Sequence, residues 1–323
     1  MVYNNPLECH YKMPSSTLIN FLDNSSIVKQ HWDDCITNSE NSLVYAKAFY
    51  LDNIVPNWKG LIGKNYDWVL PVTEKTKWGI SYLYQPPLTQ QLGVFARDAS
   101  VVIPWIAIIE VLKKKYKFWE INFNYATPVN VFPTDIKASP ATNFILPLQM
   151  GYQNLRLNYH KDLIRNLKRS QQFRLVYKRE DDFKVSIDEY TKAYGDRMQH
   201  VVNDDYERFT KICEYAAAKS QLVCRKAVNQ QNELMATVLL LSDGKRLYNM
   251  MNTTTTAGRK VEANHFLMDS VIREFAGQEL ILDFEGSDLP GVKSFYENFG
   301  GENQPYYLLK YNNLPWPIKY LKR

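Results

Sequence analysis

The order in which hydrophobic period changes along the second half of the chain constrains the fold most. From residue 173 onward, runs of alternating or continuous β-branched and aromatic residues trade places with stretches of helical spacing. A strand is expected at 173–178, helices at 187–197 and 205–219, and strands at 221–228, 234–241 and 246–253. A helix at 263–275, a strand at 279–285, a helix at 290–298 and a last strand at 306–311 complete the set. The order is therefore β-α-α-β-β-β-α-β-α-β, an α/β (α+β) arrangement with a mixed sheet. Asp204 or Asp205 is the expected N-cap of the second helix. A further helix at 159–171 precedes the series, with Tyr159, Leu163, Ile164 and Leu167 on its apolar face and Lys161, Arg165, Lys168 and Arg169 opposite.

The first half is less regular. A short helix is expected over 31–41 and strands over 43–51, 67–71 and 78–84. The pair Pro86–Pro87 then forces an extended turn. A helix over 102–115 ends in Lys113, Lys114 and Lys115, which complement the negative end of its dipole. A strand at 116–123, a loop over 124–142 and a strand at 143–148 follow. A chain of 323 residues with 45% hydrophobic residues builds more than one core. The break is expected near 150–154, giving domains 1–150 and 151–323.

Several function classes fall away. Cys9, Cys35, Cys213 and Cys224 form no CxxC pair and the histidines have no metal spacing, so neither a zinc site nor a redox motif is expected. Scattered cysteines and an N-terminus without an apolar core indicate a cytoplasmic setting. The most apolar run, 101–112, holds Pro104 and Glu110 and is too short for a bilayer, so it reads as a buried helix. The net charge of +5 accommodates anionic partners such as tRNA, coenzyme A or nucleotide-linked sugars without requiring them.

Two stretches, YHKDLIRNLKRSQQFRLVYKRE (159–180) and GQELILDFEGSDLPGVKSFYENFGGENQPYYLL (277–309), together with YLYQPPLTQQLGVF in the first half, resemble the FemAB-like branch of the GNAT acyltransferases. That branch includes the bacterial aminoacyltransferases that build peptidoglycan bridges. The resemblance implies two GNAT-like domains in tandem, each a twisted mixed sheet flanked by helices, with the acyl-donor cleft in the C-terminal one. It implies an N-acyltransferase acting on a small-molecule or cell-wall precursor acceptor, with no tightly bound cofactor and with either aminoacyl-tRNA or acyl-CoA as donor. The Gln/Arg-x-x-Gly-x-Gly/Ala loop of acetyl-CoA-binding relatives is absent; the matching loop reads TTTTAGRKVEAN, with one glycine. The long helical-hairpin arm of some tRNA-binding relatives has no counterpart in the sequence. Two alternatives stand beside this reading: a catalytically degenerate binding protein of the same fold, and an acyl-CoA-dependent small-molecule N-acetyltransferase.

Acyl transfer to an amine needs a carbonyl clamp, a seat for the donor and a proton acceptor. The resemblance places the clamp on backbone amides where the strands at 248–254 and 280–285 part, with Asn252 and Thr254 against the donor. Gly258, Arg259 and Lys260, just before the helix at 263, suit a donor phosphate, and equally suit a plain exposed loop. In DFEGS, period-two alternation turns Leu282 and Phe284 to the core and Asp283 and Glu285 to the cleft, where two close carboxylates raise one pKa. Either one could instead cap a helix or form an ion pair. Ser287 or Asp288 caps the next helix, on which Tyr296 sits where relatives carry a proton donor to the leaving group, or simply packs. His265 reads as structural.

Overall fold

A computed structural model describes residues 19–198, 201–286 and 289–321. Cys9, the N-terminal segment 1–18 and the capping pair Ser287 and Asp288 lie outside the described residues.

Seven strands form the sheet of the C-terminal half, in the order Val176–Arg179, Leu222–Val228, Leu234–Ser242, Arg246–Thr254, Ile281–Asp283, Phe144–Pro147 and Glu302–Asn303. The crossover helix Ala263–Phe275 makes Arg246–Thr254 and Ile281–Asp283 parallel neighbours; the other pairs are antiparallel. The sheet separates two cores. Leu247 packs with the helices Lys161–Ser170, Ala263–Phe275 and Pro290–Glu297 on one face. Its neighbour Tyr248 points to the other face, with Phe183–Tyr194, Asn203–Ala218 and the N-terminal half. The alternation of one strand thus feeds both cores. Tyr248 Oη accepts from Val44 N at 3.1 Å and donates to Asp243 at 2.6 Å, bonding the two halves through a wholly buried ring.

In the N-terminal half there are two sheets. One has four strands, Asn20–Asp23, Lys59–Ile62, Trp68–Val72 and Phe95–Ala96. The other has five, in the order Glu74–Lys77, Ile80–Tyr84, Phe118–Phe123, Tyr306–Asn312 and Ile136–Ala141. The chain's last strand therefore completes the N-terminal sheet, and Phe144–Pro147 completes the C-terminal one. A cut at 150/151 separates both strands from the sheets they belong to.

Four local expectations are corrected. Residues 43–51 are not a strand but a turn at Val44–Ala46 and the helix Ala48–Ile54. The run is apolar but for Lys47 and packs against Asn203–Ala218, with Phe49 stacked on Tyr215 at 4.5 Å, so period could not choose between helix and strand. The 124–142 stretch contains the strand Ile136–Ala141, whose SPA sequence hides it. The apolar run 101–112 is only partly buried: the helix is Trp105–Lys115, Val102 and Ile106 face solvent, and Ile108, Ile109 and Leu112 face the core. Likewise Asp205 is not the N-cap of Asn203–Ala218 but sits in its first turn, accepting from Val202 N. Among the described residues no helix is long and apolar enough to cross a membrane.

Candidate active site

The parallel strands Arg246–Thr254 and Ile281–Asp283 pair over three rungs only, the last being Tyr248 with Asp283. Beyond it they part. Phe284 N donates to Phe144 O at 2.9 Å, and Gly286 N donates to Asn143 Oδ1 at 2.8 Å. Both bonds draw the chain toward Phe144–Pro147 and away from the long strand. Gly286 is required for this approach, since a Cβ there would lie 2.2 Å from Thr142 O. The long strand has a bulge at Met250, between the Leu239–Met251 and Leu240–Asn249 pairs. From Asn249 onward its gap-facing edge has no parallel partner, which leaves backbone N–H and C=O groups directed into the opening.

The side chains around this opening are short of partners. Asn249 is 4% exposed, and neither its Nδ2 nor its Oδ1 has a hydrogen bond. Asn252 Nδ2 rests on Met268 Sδ at 3.1 Å while its Oδ1 is unpartnered, and Thr253 Oγ1 is buried without a partner. Glu285 takes a left-handed backbone, φ 56°, at the turn, and its Oε1 is shut from water with no partner. Burial pushes this carboxyl up to about 8. Orphaned buried polar groups are uncommon and costly, and functional sites are one place where they occur.

Asp283 does not join Glu285 in the cleft. It is 1% exposed, its Oδ2 takes Arg246 Nη1 at 2.8 Å, and its Oδ1 accepts Glu285 N at 3.1 Å. Burial raises its carboxyl and Arg246 opposes that rise. The expected coupling of two carboxylates is therefore not what lifts Glu285; desolvation is. The strand ends at Asp283, so the alternation that was to carry Glu285 to the same face stops there. Leu282 and Phe284 are fully buried, and Tyr296 stacks on Phe284 at 4.8 Å. Burial, then the nearby Glu285, raises the Tyr296 phenol, which keeps its proton.

The corresponding place in the N-terminal half is filled. Its parallel pair, Leu83–Trp119 and Tyr84–Glu120, also ends early. There, however, Gln85 Oε1 accepts Asn122 N at 2.9 Å, Asn122 Nδ2 donates to Gln90 O at 3.0 Å, and Leu92 resumes parallel pairing with Phe123. The QPPLTQQL segment closes the first opening; the second stays lined by unpaired groups.

Residues 156–292 match the family described as Acetyltransferase (GNAT) domain. This stretch is similar to the GNAT acyltransferases. The fold is similar to that of FemX, with a TM-score of 0.63, 13% identity, and 92% of this chain and 98% of that one covered. The C-terminal domain of a putative lysylphosphatidylglycerol synthetase from Agrobacterium fabrum is similar with a TM-score of 0.54 and 9% identity, covering 91% of this chain and 94% of that one. A tandem GNAT protein from the clavulanic acid biosynthesis pathway is similar with a TM-score of 0.51 and 10% identity, covering 92% and 99%. At such identities these likenesses establish the fold, a tandem GNAT-like α/β architecture. No curated protein matches the chain in sequence.

On the donor side of the GNAT domain the expected loop is ordered. Gly258, Arg259 and Lys260 belong to a short helix, Thr256–Lys260, capped by Thr255, whose Oγ1 accepts Gly258 N at 2.9 Å. Gly258 is small because a Cβ there would meet Met235 O at 1.9 Å, a packing reason rather than a phosphate one. Arg259 and Lys260 are exposed, and Thr254 places its Cγ2 against Gly258. The start of Ala263–Phe275 is occupied by a carboxylate: Glu262 pairs with Arg169 and with His265, each at 3.1 Å. Asn166 and the Phe295 ring hold the other sides of His265. Sequence reasoning missed Asn143, Arg246 and Asn249. Asn143 and Arg246 act through contacts remote in sequence, and Asn249 matters for the partners it lacks; the one local signal was the polar pattern NMMNTTTT on an otherwise apolar strand.

Proposed function

We propose that the chain is an N-acyltransferase that moves an acyl or aminoacyl group onto an amine by direct attack, with Glu285 as the base. The observation that carries this reading is the unpartnered Glu285 oxygen beside the parted strands. A carboxyl near 8 takes a proton from an ammonium acceptor at mildly alkaline pH. The freed amine attacks the acyl carbonyl, the N–C bond forms, and the bond to the donor breaks. Unpaired strand amides and Asn249 are donors suited to the carbonyl oxygen as charge develops on it. Tyr296, whose phenol stays protonated, is suited to return a proton to the leaving group. Asp283 has a positioning role, since it holds Glu285 N and Arg246 together.

An aminoacyl-tRNA donor is the better supported of the two donors. Glu262 puts negative charge where a pyrophosphate would sit, and the packed Gly258 turn offers no phosphate cradle. The adjacent helix Lys161–Ser170 presents Lys161, Arg165, Lys168 and Arg169, all exposed, for a nucleic-acid backbone. Resemblance to bridge-building enzymes, and similarity to a synthetase named for an aminoacylated lipid, support a cell-wall or lipid acceptor. Thermal melts with acetyl-CoA, and with charged and uncharged tRNA at low and high salt, test the reading. Charged tRNA should raise the melting temperature, less so in high salt, and acetyl-CoA should leave it unchanged. Stabilisation by acetyl-CoA alone would replace this with the small-molecule acetyltransferase. Stabilisation by neither donor, with Glu285→Gln indistinguishable from wild type in acceptor binding, would leave a degenerate binding protein.

A further inference from the structure

The outer face of the five-stranded sheet carries an aromatic surface that the acyl-transfer chemistry does not use. Lys77 and Ile80 close a two-residue hairpin turn, with Trp78 at φ 53° and Gly79 at φ 74°. Such turns favour Asn-Gly, and a bulky residue in the left-handed region is strained. Trp78 receives no packing in return: it is 75% exposed, and a Cβ built on Gly79 meets nothing within 4 Å. Trp316, from the end of the chain, is 80% exposed. Between these segments lies an apolar hollow of about 230 Å³, floored by Ile80, Tyr82, Phe118, Leu314 and Ile318. Cross-strand pairing puts Lys75 beside Tyr82 and Lys77 beside Ile80, on this same face. Lys75 Nζ lies 4.2 Å from the Tyr84 ring and Lys77 Nζ 4.8 Å from the Trp78 ring, and neither is in an ion pair among the described residues. Lys319 is exposed on the adjoining segment.

We propose that this face docks on an anionic lipid bilayer, with the two indoles entering the headgroup region and the lysines meeting lipid phosphates. Protruding Trp rings beside unpaired cations are the composition of a membrane-interface anchor. Each lysine near an anionic surface adds attraction, which salt screens. No spanning helix is needed for such binding, and the strained turn is explained by a ligand that the fold itself does not contain.

The test is flotation of the full chain with vesicles of phosphatidylcholine alone and of an equal mixture of phosphatidylcholine and phosphatidylglycerol. The wild type should bind the mixed vesicles, lose that binding as salt rises, and ignore phosphatidylcholine. Trp78→Asn with Trp316→Ser should weaken binding about tenfold or more, the loss of two buried rings. Trp78→Asn alone also suits the turn, so its melting temperature should equal or exceed that of the wild type, which separates lost docking from lost folding. Absence of binding to the mixed vesicles, or binding indifferent to these substitutions, overturns the proposal. So does a dimer in light scattering that the same substitutions dissolve, since the face would then belong to a second copy.

Discussion

Glu285 combines a left-handed backbone with a carboxyl oxygen that no group satisfies, and each is destabilising by itself. Glu285→Gln should lower turnover about 10²–10⁴-fold, the range for loss of a general base. The wild-type rate should climb with pH and level off above about 8, measured with an identified acceptor. Stability should run the other way. The folded state keeps the Glu285 proton between the ordinary value of 4.5 and about 8, so the stabilisation from that proton is full below 4.5 and lost as pH rises through 8. Glutamine does not titrate. Thermal melts should therefore show the variant gaining on the wild type from pH 4.5 to about 8 and holding a constant lead above it. Arg246→Ala should cost about 3–5 kcal/mol in denaturant melts, because it strands Asp283 in the interior. The turn after Glu285 was legible in the glycine of DFEGS, though the alternation predicts a strand through Glu285 and the strand ends at Asp283. Asn143 and Arg246 were not, because their partners lie more than thirty residues away and no local pattern encodes a long-range bond.

At the scale of elements, the helix Ala263–Phe275 and the strands Leu222–Val228, Leu234–Ser242 and Arg246–Thr254 follow the periodic pattern to within a residue or so at most ends. They are long, and one period dominates each. The misread elements lack that dominance. The helix Ala48–Ile54 is seven residues long, too short for one period to stand out, and the strand Ile136–Ala141 contains a proline. The segment Thr256–Lys260 looked like a ligand loop because its glycine and cations are the residues a phosphate would want. Its glycine instead lets the short helix touch Met235. Gly258→Ala should accordingly destabilise the protein by about 1–3 kcal/mol, read by denaturant melts, and should not act through donor affinity. A variant as stable as wild type but with weakened donor binding would return the loop to the phosphate role.

For the whole molecule, the two halves are knit by exchanged strands. Phe144–Pro147 lies between Ile281–Asp283 and Glu302–Asn303, while Tyr306–Asn312 lies between Phe118–Phe123 and Ile136–Ala141. Composition and length suggested two cores, and among the described residues two are found, yet each draws residues from both sides of residue 150. No local signal could show that, since the exchange depends on where distant strands find hydrogen-bond partners. A fragment covering 151–323 should fail to give a cooperative melt by circular dichroism, and adding 1–150 in trans should restore one. Independent folding of that fragment would disprove the knitting. The same exchange governs events at the ribosome. While the nascent chain emerges, the sheet begun by its first hundred or so residues keeps an open edge that only the final stretch can close. A product cut short before Tyr306–Asn312 is thus an unfinished fold with a raw sheet edge, a substrate for chaperones or proteases.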